Sequence, residues 1–231
     1  GPGETQIETD RRLARNRISA LKRRLNHVKG SRDVMRAERE RAGLPEIALA
    51  GYTNAGKSTL LNALTGAEVG VQDRLFHTLD PTTRVMRLEG RPFLLTDTVG
   101  FIRKLPHQLV DAFGATLEET RLADLILHVV DASAEEDEML EMVGAVDRVL
   151  EEIGAGENAR LLVLNKADRI DPERRAELRR LHPDAVIVSA IEGTGLDRLR
   201  ERIEDDFVRR MQPVELLLPY TLACNTALYH A

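Results

Sequence analysis

Gly51-Tyr52-Thr53-Asn54-Ala55-Gly56-Lys57-Ser58 decides how the rest of the chain is read. It follows a short apolar run, Ile47-Ala48-Leu49-Ala50, and leads into Thr59-Leu60-Leu61-Asn62-Ala63-Leu64. The run has the length and composition of a buried strand, and the later segment reads as a helix. Strand, Gly-x-x-x-x-Gly-Lys-Ser and helix is the setting of a phosphate-binding loop. Gly51 and Gly56 have no β-carbon to block an oxyanion, so backbone amides can point into a tight loop. The helix start adds its amides and its dipole. Lys57 brings a point charge for terminal phosphates, and the Ser58 hydroxyl suits Mg²⁺, which prefers oxygen.

The other residues bound the possibilities. At 231 residues, 42% hydrophobic and 31% charged, the chain can bury a substantial core. No run approaches the roughly 18 apolar residues of a membrane span, and no apolar signal opens the chain. Cys224 is the single cysteine, so no internal disulfide forms, in keeping with a reducing cytoplasm. It reads as a small buried hydrophobe. The start at Gly1-Pro2-Gly3, without methionine, reads as that of a fragment. The net charge of −5 hides an asymmetry: residues 1–43 carry 12 Lys and Arg against 6 Asp and Glu, net +6, leaving 21 against 32, net −11. A basic arm on an acidic body suits an anionic partner, or else is a solvated helix.

Within that arm, Ala14, Ile18, Leu21, Leu25 and Val28 form an apolar seam, which Met35 rejoins after Gly30-Ser31. The pattern predicts two helices, over about 5–29 and 31–42, with a break at Gly30. They form an antiparallel hairpin, or a partner helix covers the seam. Gly43-Leu44-Pro45 closes the arm. Beyond the loop helix, Gly66 is a stop signal. Residues 67–84 lack periodicity and are rich in hydroxyls, as a functional loop is. Arg84–Leu88 and Phe93–Thr96 predict a hairpin about Glu89-Gly90. Leu125–Val130, Leu161–Leu164 and Val186–Val188 read as strands, alternating with helical patterns at 107–123, 136–152, 172–181 and 195–210. That alternation predicts an α/β fold, a doubly wound and mostly parallel sheet with helices on both faces. His128 then lies inside a strand as a core residue.

Polar motifs follow the strand ends, where such sheets bind ligands. Asp97-Thr98-Val99-Gly100 supplies a carboxylate for the magnesium and, at Gly100, an amide close to a γ-phosphate. Asn165-Lys166-Ala167-Asp168 ends a later strand. The Asp168 carboxylate matches the ring N–H and exocyclic amine of guanine, a pair that adenine does not offer. The Lys166 stem packs along the base, Asn165 ties this loop to the phosphate loop, and Ser189-Ala190-Ile191 points amides at the guanine oxygen. The ligand read from these residues is GTP, not ATP.

This set resembles the P-loop GTPases of the translation-factor class. With Gly1-Pro2-Gly3-Glu4-Thr5-Gln6, Leu79-Asp80-Pro81-Thr82-Thr83-Arg84 and Asp97-Thr98-Val99-Gly100-Phe101-Ile102, it is similar to the HflX family of ribosome-associated GTPases over essentially the whole chain. The resemblance implies a helical linker at 1–43, a GTPase domain at 44–210 and, from 211 to 231, the start of a small C-terminal domain. It also implies an absent N-terminal domain, a monomer, and work on the 50S subunit and its rRNA, including ribosome splitting or rescue. A GTPase of ribosome assembly or RNA modification shares every nucleotide motif and is the alternative; a coiled-coil adaptor with a vestigial pocket would not need Lys57, Ser58 and Asp97. The nucleotide-contacting set is Gly51 to Thr59, Phe76, His77, Thr78, Leu79, Asp80, Asp97 to Gly100, Asn165 to Asp168 and Ser189 to Ile191. Ser58, Thr78 and Asp97 are the metal ligands, and Lys57, Thr78 and Gly100 the catalytic residues. Thr78 is the first-switch threonine by similarity to the family's Phe-x-Thr-Leu-Asp pattern, with Thr82 as alternative. Phe101 stands where small signalling GTPases place a water-orienting glutamine, which implies slow hydrolysis completed by outside groups. Asn54 is placed as in related GTPases that hold a K⁺ beside the phosphates; a plain loop hydrogen bond is the alternative.

Overall fold

Residues 43–66, 82–98, 100 and 114–210 are described by the computed structural model of the chain. Their strands and helices belong to one compact unit that begins at Pro45. Most of the basic arm, the segment holding Phe76, His77, Thr78, Leu79 and Asp80, and residues 211–231 lie outside the described residues.

The element order is β1 (Glu46–Gly51), α1 (Lys57–Thr65), β2 (Thr82–Leu88), β3 (Arg91–Asp97), α2 (Gly114–Leu122), β4 (Leu125–Asp131), α3 (Glu136–Glu152), β5 (Arg160–Asn165), α4 (Pro172–Leu181), β6 (Val186–Ile187) and α5 (Leu196–Arg210). The strands form one sheet in the order β2-β3-β1-β4-β5-β6. β2 runs antiparallel to β3, and the remaining pairs are parallel. β1 lies between β3 and β4, with Leu49 opposite Asp97 on one side and Leu127 on the other. The carboxyl ends of β1, β3, β4 and β5 therefore open at one edge, where the order of strands reverses.

Alternation along β1 sorts its side chains between the two layers. Ile47 and Leu49 pack with Leu60, Leu61 and Leu64 of α1 and with Leu199 and Ile203 of α5. Ala48 and Ala50 face the other way, into a cluster with Leu117 of α2 and Val146, Val149 and Leu150 of α3. A third cluster joins Val130 and Leu164 to Met139 of α3 and Leu178 of α4. Both faces are covered, which is why the strands read as unbroken apolar runs. His128 is 4% exposed, and burial lowers its pKa to about 4 even though Asp147 pulls the other way.

Local chemistry sets the helix ends. Asp171 caps α4 by accepting from the Arg174 amide at 2.7 Å, with Pro172 at the first helical position. Gly66 closes α1 in the left-handed region, its amide bonded to Asn62 O at 2.8 Å. Glu136, Asp137 and Glu138 place negative charge in the first turn of α3. The expected helix over 107–123 is described from Gly114, the earlier residues lying outside the described set. β6 ends at Ile187 rather than Val188: Val188 N still donates to Leu164 O at 2.8 Å, but Val188 O accepts from Ala167 N of the turn after β5 at 3.0 Å.

Leu127 is fully buried in β4, whereas Leu140 on α3 is 53% exposed. Leu127→Ala should therefore lower unfolding free energy by about 2–5 kcal/mol, while Leu140→Ala should stay within about 0.5 kcal/mol of the parent in urea melts. Equal losses would contradict this layer assignment.

Candidate functional site

The loop after β1 is shaped by close approaches. A β-carbon on Gly51 would lie 2.3 Å from Val129 O of the neighbouring strand. One on Gly56, which has φ +94°, would lie 2.3 Å from the Asn165 side-chain nitrogen. Asn54 also adopts a left-handed conformation, at φ 62°. Asparagine tolerates that region better than most residues do. Gly56 has no side chain to cap α1, whose hydrogen bonding opens with Leu60 N donating to Gly56 O at 2.9 Å. The first-turn amides have no intrahelical carbonyl to bond, which makes this helix end a place for an anion.

Lys57 is 7% exposed and donates from Nζ to Gly51 O at 3.2 Å and Tyr52 O at 3.1 Å. Burial pulls its pKa down to about 8, and the Asp97 carboxylate opposes that shift only in part. Ser58 Oγ donates to Asp97 Oδ2 at 2.5 Å, joining α1 to the end of β3. Thr98 Oγ1 donates to Leu49 O at 2.6 Å and fixes the chain beyond β3 against β1. At Gly100 a β-carbon would meet Thr53 Cγ2 at 2.8 Å and Thr53 Cα at 3.0 Å, so a glycine lets the chain pass closely beside the phosphate loop. Two hard oxygen donors, one ionisable, thus meet beside a phosphate-type loop, a donor set that fits Mg²⁺. Thr82 opens β2 directly across the ladder from Asp97, and the Thr83 and Thr96 hydroxyls are 2.9 Å apart. Thr78, Phe76, His77, Leu79, Asp80, Val99 and Phe101 lie outside the described residues.

At the other end of the cleft Asn165, 2% exposed, donates from Nδ2 to Ala55 O at 3.0 Å. Its Oδ1 accepts from Ala190 N at 3.1 Å. Asp168 sits in a single 3-10 turn, Ala167–Arg169, and its Oδ1 accepts from Ser189 Oγ at 2.6 Å. The Ser189 hydroxyl in turn accepts from Glu192 N at 3.1 Å, and Ala167 N donates to Val188 O at 3.0 Å. Here the arrangement departs from expectation: the Ala190 amide is donated to Asn165, and it is the Ser189 hydroxyl that orients the carboxylate. Ile191 is 71% exposed beside them.

Sequence reasoning missed Asp131. Lys166 Nζ lies 2.6 Å from Asp131 Oδ2, while Asp131 Oδ1 accepts from Ser133 N at 2.9 Å and Ser133 Oγ at 2.6 Å. Burial pushes the Asp131 pKa up, but the bonds from Lys166 and Ser133 outweigh it and hold the acid below its ordinary value. The nearest sequence signal is Asp131-Ala132-Ser133, which closes β4 but bears no visible relation to Lys166 until β4 and β5 stand in register.

With this geometry in view, likeness to known proteins becomes interpretable. Residues 46–166 match the family of 50S ribosome-binding GTPases, and residues 1–39 match a middle region of GTP-binding GTPases. GTPase HflX of Caldanaerobacter subterraneus subsp. tengcongensis is 48% identical over 221 residues, 95% of this chain and 50% of the relative. That of Escherichia coli is 47% identical over 222 residues, 95% and 52% respectively. The chain thus spans about half the length of the curated relatives it matches. Among solved structures, a GTP-binding protein from Sulfolobus solfataricus in complex with GDP superposes with a TM-score of 0.60 at 30% identity, covering 78% of this chain and 58% of that one.

Lys57 furnishes a test of the phosphate end. An anion against Nζ returns its pKa toward the usual lysine range, so GDP binding at about pH 8.5 should take a proton from the buffer. At about pH 6.5 the lysine is already charged and uptake should vanish. Titration calorimetry in buffers of different ionisation enthalpy reads the slope; no uptake at the higher pH would contradict the placement of Lys57 at the phosphates.

Proposed function

Because the chain belongs to the HflX family of GTPases, we propose that it binds and hydrolyses GTP and couples the nucleotide state to the large ribosomal subunit. The observation that supports this reading best is the joining of both ends of a nucleotide cleft by Asn165, which touches Ala55 of the phosphate loop and Ala190 beside Asp168. Residues 44–210 act as the GTPase domain. Residues 1–43 act as a basic arm toward rRNA, and 211–231 begin a further domain.

On binding, Lys57 exchanges the carbonyls of Gly51 and Tyr52 for the terminal phosphate oxygens, and the α1 amides take the remaining charge. Ser58, Asp97 and Thr78 would hold the Mg²⁺, which would supply positive charge opposite the developing negative charge of phosphoryl transfer. Thr78 and Gly100 register the γ-phosphate, so that its loss releases the first switch and changes what the ribosome meets. Asp168, held by Ser189, pairs with the two guanine donors, and an adenine there would leave the carboxylate unmatched. Asn54 is placed to help a K⁺ beside the phosphates.

Phe101 cannot orient water, so hydrolysis by this domain alone is slow and ribosomal groups complete it. Splitting or rescue of ribosomes belongs to the longer protein. A role in ribosome assembly shares the same chemistry and differs in the particle bound.

Phosphate release from GTP by the full-length protein, measured with and without 50S subunits, tests the proposal. A rise of at least about tenfold is expected, modest beside what a catalytic group supplied in trans can deliver. A fast intrinsic rate indifferent to ribosomes would overturn it. The same assay should run faster in potassium than in sodium chloride; equal rates would remove the monovalent ion.

A further inference from the structure

We propose that Asp131 is a positioning residue for guanine-nucleotide binding: anchored by Ser133, it clamps the Lys166 ammonium so that the lysine stem is held in place over the face of the base. The inference rests on the reading of Asn165–Asp168 as the guanine loop and adds to it a residue from the neighbouring strand.

Three features converge on this assignment. Asp131 and Asn165 are register partners at the ends of β4 and β5, and Ala132 N donates to Asn165 O at 2.8 Å, so the two strand ends are locked together. Lys166 follows with φ 67°, a left-handed conformation that a residue with a β-carbon adopts only when its surroundings impose it. That turn carries the chain from Asn165, tied to the phosphate loop, to Asp168, tied to Ser189, while the side chain reaches back to β4.

The ammonium is thereby spoken for. Its partner is 2.6 Å away, and the two side chains are only 16% and 20% exposed. Both oxygens of Asp131 are engaged, one by Lys166 and the other twice by Ser133, so the carboxylate cannot swing away without losing three hydrogen bonds. A lysine free to roam places its charge in water and samples many rotamers, which a planar ligand would have to freeze on arrival. Holding it in advance shifts that ordering from the binding step to folding and leaves an apolar stem as a preformed floor. The contact is with the face of the base rather than its edge, so it contributes affinity without discriminating between purines that differ at the edge.

The distinguishing experiment measures dissociation of a fluorescent GDP from the full chain by stopped flow. Asp131→Asn preserves size and can still accept from Ser133, yet it removes the charge that holds Lys166. Dissociation should accelerate about tenfold, the scale of a weakened charge-assisted hydrogen bond in a half-buried site. IDP and XDP should be released faster by the same factor. In a Lys166→Met background, which keeps the stem and lacks the ammonium, Asp131→Asn should change nothing further; with Lys166 intact, Asp131→Glu should show no more than half the loss seen in Asp131→Asn. Unchanged GDP release in Asp131→Asn, or an undiminished effect in the Lys166→Met background, would overturn the proposal. If Asp131→Asn does not fold, the comparison of Asp131→Glu with and without Lys166→Met decides by the same criterion. A wild-type chain that does not prefer GDP to ADP would instead sink the guanine-loop reading beneath it.

Discussion

Asn165 is the contact on which the cleft depends. One buried amide side chain donates to the carbonyl of Ala55 and accepts from the amide of Ala190, joining loops that follow β1, β5 and β6. Loops at the open edge of a parallel sheet carry backbone groups with no ladder partner, and those groups must find one or face water. A side chain with one donor and one acceptor face, rigid and nearly free of solvent, satisfies two such groups at once and fixes the distance between the ends of the cleft. In the low dielectric of the interior the arrangement is all or nothing, since a half-satisfied amide is costly. The glycine at position 56 follows from it, because any β-carbon there would occupy the place of the Asn165 nitrogen.

The remaining contacts make one continuous set of constraints. Lys57 is held charged at a site where burial works against the charge, by two carbonyls and by Asp97. Asp97 is in turn bonded by Ser58, and the same chain two residues later is pinned to β1 through Thr98. At the opposite end Ser189 fixes Asp168, and Asp131 fixes Lys166. Lys57, Ser58, Asn165, Lys166 and Asp168 each already have a partner of the opposite kind. Such a site is preorganised, and binding exchanges one set of partners for another rather than creating order from nothing.

Much of this was legible in the residues. The α/β architecture followed from apolar strands bounded by polar motifs, and α3 and α4 fall at the limits their helical patterns predict. Ser58 with Asp97, and Asn165 with the phosphate loop, are pairs that motif spacing anticipates because the fold brings those strand ends together. The antiparallel pairing of β2 and β3 was visible in the Glu89-Gly90 turn. Three things were not legible. At the end of β6, Val188 O is taken by Ala167 N from the turn after β5, a tertiary contact without a periodic signature. The engagement of the Ala190 amide by Asn165 depends on two loops meeting, and sequence order cannot supply that. Asp131 was passed over because a strand-ending acid has no spacing relative to Lys166 until β4 and β5 are set in register.

One cavity accepting both a guanine base and a magnesium-bound polyphosphate is the proposition from which the rest follows. Calorimetric titration of GDP and of ADP into the nucleotide-free chain, with magnesium present, tests it directly. GDP should bind at least about a hundredfold more tightly, as a site whose carboxylate pairs with the two guanine donors requires. Equal affinities would contradict the account.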